Sequence, residues 1–156
     1  MIGVFVKAVP LILANLSPVL SAKLFPKMNA PVDFNKKWKG KRVFGSHKTW
    51  RGVATMMCVG LLSGYLVLGS IKYGLLTGVG VVAGDLLTSF IKRKINLKPG
   101  ASFEPWDSEI LVACVIIATW DLFNAFEVLG IMLAAPFIYK AFNVLGFMLK
   151  LQKNPW

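Results

Sequence analysis

The sequence predicts an all-α fold: a polytopic integral membrane bundle of five transmembrane helices joined by two basic cytoplasmic loops. Three observations carry that expectation. Hydrophobic residues make up 56% of the 156-residue chain, above the soluble average. Five stretches approach the roughly 20 apolar residues that a hydrocarbon core requires. The net charge of +11 is concentrated between those stretches instead of being spread along them.

The first stretch, Ile2 to Ala22, carries Pro10 and Pro18, has no basic segment ahead of it and shows no small-x-small cleavage pattern. It is therefore expected to be a retained helix, not a signal peptide. Lys23, Lys27, Lys36, Lys37, Lys39, Lys41, Arg42, Lys48 and Arg51 follow, with only Asp33 against them. The second and third stretches, Val53 to Ile71 and Tyr73 to Ile91, lead to a second basic group: Lys92, Arg93, Lys94 and Lys98. The fourth, Ile110 to Phe126, is short, and the fifth, Val128 to Leu149, contains Pro136 and Lys140. Lys150 and Lys153 close the chain, which reads as one domain over 1–156.

Five crossings put the three basic regions on one side, and the excess of Lys and Arg makes that side cytoplasmic. The N-terminus and the acidic segment from Asp121 to Glu127 then lie outside, in a multi-pass protein of the cell membrane. Basic loops also touch anionic headgroups, each cation near the surface contributing about 1 kcal/mol. Nucleic acid is not expected as a partner, because the positive charge adjoins membrane spans and no nucleic-acid module is present. Cys58 and Cys114 fall within spans as small apolar residues, and His47 is the sole histidine, so thiolate and zinc sites are not expected. Gly60 with Gly64, Gly74 with Gly78 and Gly80 with Gly84 have the spacing that lets membrane helices approach closely. The residues leave pairing with a second copy open.

Asp85 is the anomaly. An aspartate within a membrane helix costs about 2.5–3.5 kcal/mol on insertion scales, so a polar pocket holding a cation is needed to offset it. In a helix, Asp85, Ser89 and Lys92 share one face, which opens toward the basic end. The following segment, "KINLKPGASFEPWDSEI", folds back through Pro99-Gly100 and Pro105 and brings Glu104, Asp107 and Glu109 to the start of the fourth helix. Alone, Asp107 reads as an N-cap carboxylate on the fourth helix, with Glu109 in its first turn. Taken with Asp85 and the adjacent Lys and Arg, they suit a magnesium-bound polyphosphate: oxygen ligands for a hard cation and cations for phosphate oxygens. No P-loop, GxGxxG pattern or nucleophilic triad occurs.

Two stretches carry a resemblance. "GSHKTWRG", Gly45 to Gly52, and "GDLLTSFIKRKINLKPG", Gly84 to Gly100, resemble the signature elements of the CTP-dependent phosphatidate cytidylyltransferase family. The short chain and the Lys-Pro-Gly continuation resemble its archaeal, CDP-archaeol synthase branch. The resemblance implies transfer of a cytidylyl group from CTP to a lipid phosphate, with Mg2+ as cofactor, giving a CDP-lipid and pyrophosphate. Only the branch favours an isoprenoid glycerol phosphate as the lipid. Asp85 and Asp107 match the metal-binding carboxylates, with Lys92 and Arg93 beside them as catalytic residues. Ser46, Lys48, Thr49 and Arg51 match elements around the nucleotide, and Arg42, Ser89 and Lys98 complete that expected set. The chain departs from the pattern in two places: the bacterial Pro-Gly-His-Gly-Gly run is absent, and Trp106-Asp107-Ser108 stands where the archaeal form has Leu-Asp-Gln.

Two other readings compete: a CTP-dependent polyprenol kinase, which would release CDP, and a small ion transporter using Asp85 as its relay. A CDP-alcohol phosphotransferase would need a cluster of aspartates that seven scattered acidic residues do not supply.

Overall fold

The computed structural model describes residues 2–38, 40–98 and 101–151. Lys39, the Pro99-Gly100 turn and Lys153, which figure in the expectations above, lie outside the described residues. Five helices follow one another: α1 (Ile2–Leu24), α2 (Trp50–Leu68), α3 (Ile71–Lys94), α4 (Trp106–Ala118) and α5 (Ala125–Met148). A short antiparallel hairpin of β1 (Lys37–Trp38) and β2 (Lys41–Arg42), pairing Lys37 with Arg42 and Trp38 with Lys41, sits in the α1–α2 connection. The all-α class holds, with this hairpin as a detail that two-residue strands cannot announce in sequence.

Helix boundaries follow local chemistry. Thr49 caps α2 by accepting from the Gly52 amide, and Gly69 ends that helix in the left-handed region at φ 65°, which a glycine adopts without strain. Ser70 then caps α3, making a two-residue reversal. Asn124 and Glu127 form a reciprocal capping box that starts α5.

Four helices (α1, α2, α3 and α5) are long and apolar enough to cross a membrane. The fourth expected span is corrected in its end point. Instead of running to Phe126, α4 stops at Ala118 and gives way to a 3-10 turn over Trp120–Leu122. Its 13 residues rise about 20 Å, short of the roughly 30 Å hydrocarbon layer. The reason is polar. Asp121 accepts from Lys72 Nζ (2.8 Å) and from the Tyr73 hydroxyl (3.1 Å), which anchors the turn to the start of α3.

Ala14, Met56, Val81, Leu111 and Val115 form the core, one or two residues from each of α1 to α4. Glycines set its closeness. A Cβ on Gly64 would lie 2.2 Å from Gly74 Cα and one on Gly60 2.7 Å from Gly78 Cα, so α2 and α3 meet backbone to backbone. Gly80 and Gly84 similarly admit Val115 and Leu111 of α4, whose Cα atoms would lie 2.7 and 2.6 Å from added Cβ atoms. By contrast, α5 packs mainly on α4, and among the described residues Ala135 is its one buried side chain.

The ion pairs Lys7–Glu127 and Lys72–Asp121 gather the start of α1, the α2–α3 reversal and the α4–α5 turn at one end. The basic α1–α2 connection, the α3–α4 connection and the end of α5 lie at the other.

Candidate functional site

At that basic end a cavity of about 460 Å³ opens between α1, α2, α3 and α5. Lys48, Thr49, Arg51, Asp85, Lys92 and Asp107 all line it. Each comes from a different local device. The cap at Thr49 fixes the direction in which Lys48 leaves the loop, α3 places Asp85 and Lys92 two turns apart, and the first turn of α4 holds Asp107.

The acidic and basic groups meet in two pairs. Lys48 Nζ donates to Asp85 Oδ1, and Lys92 forms an ion pair with Asp107 Oδ2. The Asp107 side chain is only 8% exposed, and the same oxygen accepts the Phe103 amide at 3.1 Å. The N-cap expected at Asp107 falls instead at Pro105; Asp107 lies in the first turn of α4, where its side chain faces the cavity. Lys92 Nζ also donates to the Ala101 carbonyl (3.0 Å), which draws the α3–α4 connection over the site. Placing each carboxylate beside an ammonium offsets the cost of holding it away from water, and removing either partner leaves the other uncompensated. Two carboxylates and three fixed cations, Lys48, Arg51 and Lys92, therefore face one space: oxygen ligands for a hard cation and donors for phosphate oxygens.

Arg51 donates from Nη1 to the Phe25 carbonyl (2.7 Å), while its Nε is buried without a partner among the described residues. Thr49 is buried and committed to its cap.

The remaining expected residues do not line the cavity. Ser46 and Lys98 are exposed. Ser89 Oγ donates to the Asp85 backbone carbonyl (2.8 Å), a bond within its own helix. Arg93 turns to a second, smaller pocket of about 160 Å³ that it shares with Arg42 and Trp38, and donates to the Lys98 carbonyl (3.1 Å). Arg42 is held by Asp33, donating from Nη2 to Oδ1 (2.6 Å) and from Nε to Oδ2 (3.3 Å).

Asp33, the lone acid of that loop, also accepts the amides of Asn35 and Phe44. Burial works against its charge, but Arg42 and those amides outweigh burial and hold the carboxyl below its ordinary value. It is the centre around which the loop folds, a role its sequence position gave no sign of.

His47, Asn15, Tyr139 and Asn143 also line the cavity and were not among the site residues expected from the sequence. A signal for two of them exists: Tyr139 and Asn143 are polar-tipped residues four apart in an apolar helix, hence on one face. His47 lies inside the "GSHKTWRG" stretch.

Comparison with known proteins gives the family and the fold. The family model described as CarS-like, CDP-archaeol synthase, matches residues 1–73 and 65–156. The CDP-archaeol synthase of Pyrococcus furiosus is 32% identical over 161 residues, covering 94% of this chain and 93% of that one. That of Pyrobaculum calidifontis is 31% identical over 157 residues, with the same coverage. A solved structure, an intramembrane enzyme for archaeal membrane lipids biosynthesis, superposes with a TM-score of 0.70 at 22% identity. It covers 89% of this chain and 91% of its own, so the two share a fold. With a basic cavity at one end of a multi-pass membrane bundle and family matches along its whole length, this chain belongs to the CarS-like family of CDP-archaeol synthases.

Proposed function

We propose that the chain transfers a cytidylyl group from CTP to an isoprenoid glycerol phosphate, 2,3-bis-O-geranylgeranyl-sn-glycerol 1-phosphate, to form CDP-archaeol and pyrophosphate. One observation carries the reading: two lysine–carboxylate pairs, drawn from the α1–α2 loop, α3 and α4, face a single cavity at the basic end of a membrane bundle. Family membership supplies the chemistry that such a cavity suits.

An ionised oxygen of the lipid phosphate attacks the α phosphorus of CTP. A bond forms there, the bond to the bridging oxygen breaks, and pyrophosphate leaves with that electron pair. No general base is needed, because the attacking oxygen is already ionised at neutral pH. The difficulty is to bring two anions together, so positioning and charge neutralisation carry the catalysis.

The residues fit a magnesium ion. Among the described residues no three His, Cys, Asp or Glu side chains cluster, so the protein offers no full cage. Two carboxylates facing a phosphate-binding cavity are what magnesium uses, since it keeps several waters and takes further ligands from substrate phosphates. Asp85 and Asp107 would hold it, and when bound it supplies Lewis-acid neutralisation of phosphate charge. Lys48, Lys92 and Arg51 would then turn to phosphate oxygens, and the α3–α4 connection would cover the nucleotide. Arg93, Arg42 and Lys98 do not line this cavity, and Arg93 and Arg42 share the smaller pocket instead. The excess of positive charge at this end supports a cytoplasmic site with the N-terminus outside.

Incubating the purified protein with CTP, magnesium and either an isoprenoid or an acyl glycerol phosphate tests the reading. Pyrophosphate should appear with the isoprenoid lipid. Release of CDP in its place would instead identify a kinase, and ion flux independent of CTP a transporter.

A further inference from the structure

The cavity does not end at its polar groups. A second cavity, of about 550 Å³, lies between α1 and α5 with α4 as its floor, and four residues line both: Asn15, Leu16, Tyr139 and Phe142. From this junction it runs away from the basic end, along α1 as far as Val4 and along α5 as far as Phe126. From Phe142 to Phe126 α5 rises through 16 residue steps, about 24 Å, longer than the roughly 15 Å half-thickness of a bilayer core. The cavity's walls are mainly apolar, with Asn124 and the ion-paired Glu127 at the end away from the junction, and its volume lies within the roughly 300–1,000 Å³ of ligand sites. The cleft exists because α5 leans on α4 and barely touches α1.

Gly130 lines this cleft, and a Cβ built on it meets no atom within 4 Å. The glycine is therefore not demanded by helix packing, unlike Gly60 or Gly84. In a helix interior it is intrinsically unfavourable, so what it contributes here is open space.

We propose that the α1–α5 cleft seats a hydrocarbon tail of the lipid phosphate, with its phosphate at the Asn15–Tyr139 junction and Gly130 and Ala134 leaving room for the chain. The inference rests on the function proposed above and adds where the lipid binds. Continuity with the polar cavity names the occupant: a molecule filling both spaces is anionic at one end and a long hydrocarbon at the other. A bulk lipid would have no reason to place its headgroup among Asp85, Asp107 and their lysines. A second copy of the chain would leave the junction unfilled.

The test fills the cleft without disturbing the polar site. Gly130→Phe should fold, since it enters open space, and Ala134→Phe provides a second block. For a long-chain isoprenoid glycerol phosphate, KM should rise about tenfold in either variant, the loss expected when roughly two methylene groups are shut out. For a short-chain, water-soluble glycerol phosphate, and for CTP, KM should stay at the wild-type value. Unchanged KM for the long-chain lipid, or equal losses for both lipids, would overturn the proposal while leaving the proposed function standing. Absence of pyrophosphate from the wild type with either lipid would overturn the proposed function and this inference with it. In liposomes, Gly130→Cys made together with Cys58→Ala and Cys114→Ala should remain monomeric under oxidation, and a disulfide-linked dimer that forms whether or not the long-chain lipid is present would assign the cleft to a second copy instead.

Discussion

Lys48 Nζ lies 2.5 Å from Asp85 Oδ1, joining the residue just before the α2 cap to a carboxylate one helix away. This ammonium sits where the proposed function would place a magnesium ion's positive charge. On the proposed function, a cation held by Asp85 would compete with this lysine, which would then be free to meet a phosphate. Lys48→Met should therefore strengthen magnesium binding in the absence of nucleotide, read by calorimetry. It should also raise the KM for CTP about tenfold, as loss of one charge-assisted hydrogen bond predicts. Unchanged magnesium affinity would show that the ion pair does not compete for Asp85.

Lys92 and Arg93 are neighbours in sequence with different surroundings. Successive residues of a helix point about 100° apart, so Lys92 reaches Asp107 while Arg93 faces the small pocket beside Arg42. Lys92→Met is expected to raise the KM for CTP about tenfold, again the value of one charged hydrogen bond. Arg93→Met should leave that KM close to wild type. Equal effects would mean that Arg93 swings into the nucleotide site.

The α2–α3 contact has no room for side chains at its glycines. Gly64→Leu would place a Cβ against Gly74 Cα, and the helices must separate. A loss of roughly 1–3 kcal/mol is expected from overpacking, seen as a lower thermal midpoint in detergent. Gly130→Leu, set in open space, should produce no such loss, which makes it the matched control.

Asp33 organises the basic loop through its charge. Its folded carboxyl is held below its ordinary value, so its stabilising contribution is present above about pH 3.9 and is lost as pH falls through the lower folded value. Limited proteolysis between α1 and α2 should thus accelerate on acidification in the wild type. In Asp33→Asn the loop should already be cleaved rapidly at neutral pH. A variant loop as resistant as the wild type would remove Asp33 from this role.

Much of the architecture was legible because membranes punish exceptions. An aspartate within a membrane helix, Asp85, demanded a cation, and Lys48 and Lys92 were in the two stretches that could provide one; Lys48 pairs with Asp85, while Lys92 pairs with Asp107. The glycine pairs at spacing four announced helix contacts that the structure contains. What stayed hidden depends on non-local pairing. Asp33 looked like a lone counter-charge, since nothing periodic links it to Arg42 nine residues on. The early end of α4 arises from Asp121 meeting Lys72 and Tyr73 across the bundle, which hydropathy alone does not register. Nor does composition distinguish α5, which leans aside and opens a cleft, from the tightly packed α3.

The central claim is that the two carboxylates facing this cavity serve nucleotidyl transfer to a lipid. Supplying CTP labelled at its α phosphorus, together with magnesium and the isoprenoid glycerol phosphate, follows that transfer atom by atom. Label should move into the lipid fraction with the wild type and, in Asp85→Asn, fall about a thousandfold, as loss of several kcal/mol of charge stabilisation requires. Label that stays in water-soluble nucleotides with the wild type, or that reaches the lipid equally well in the variant, would contradict the account.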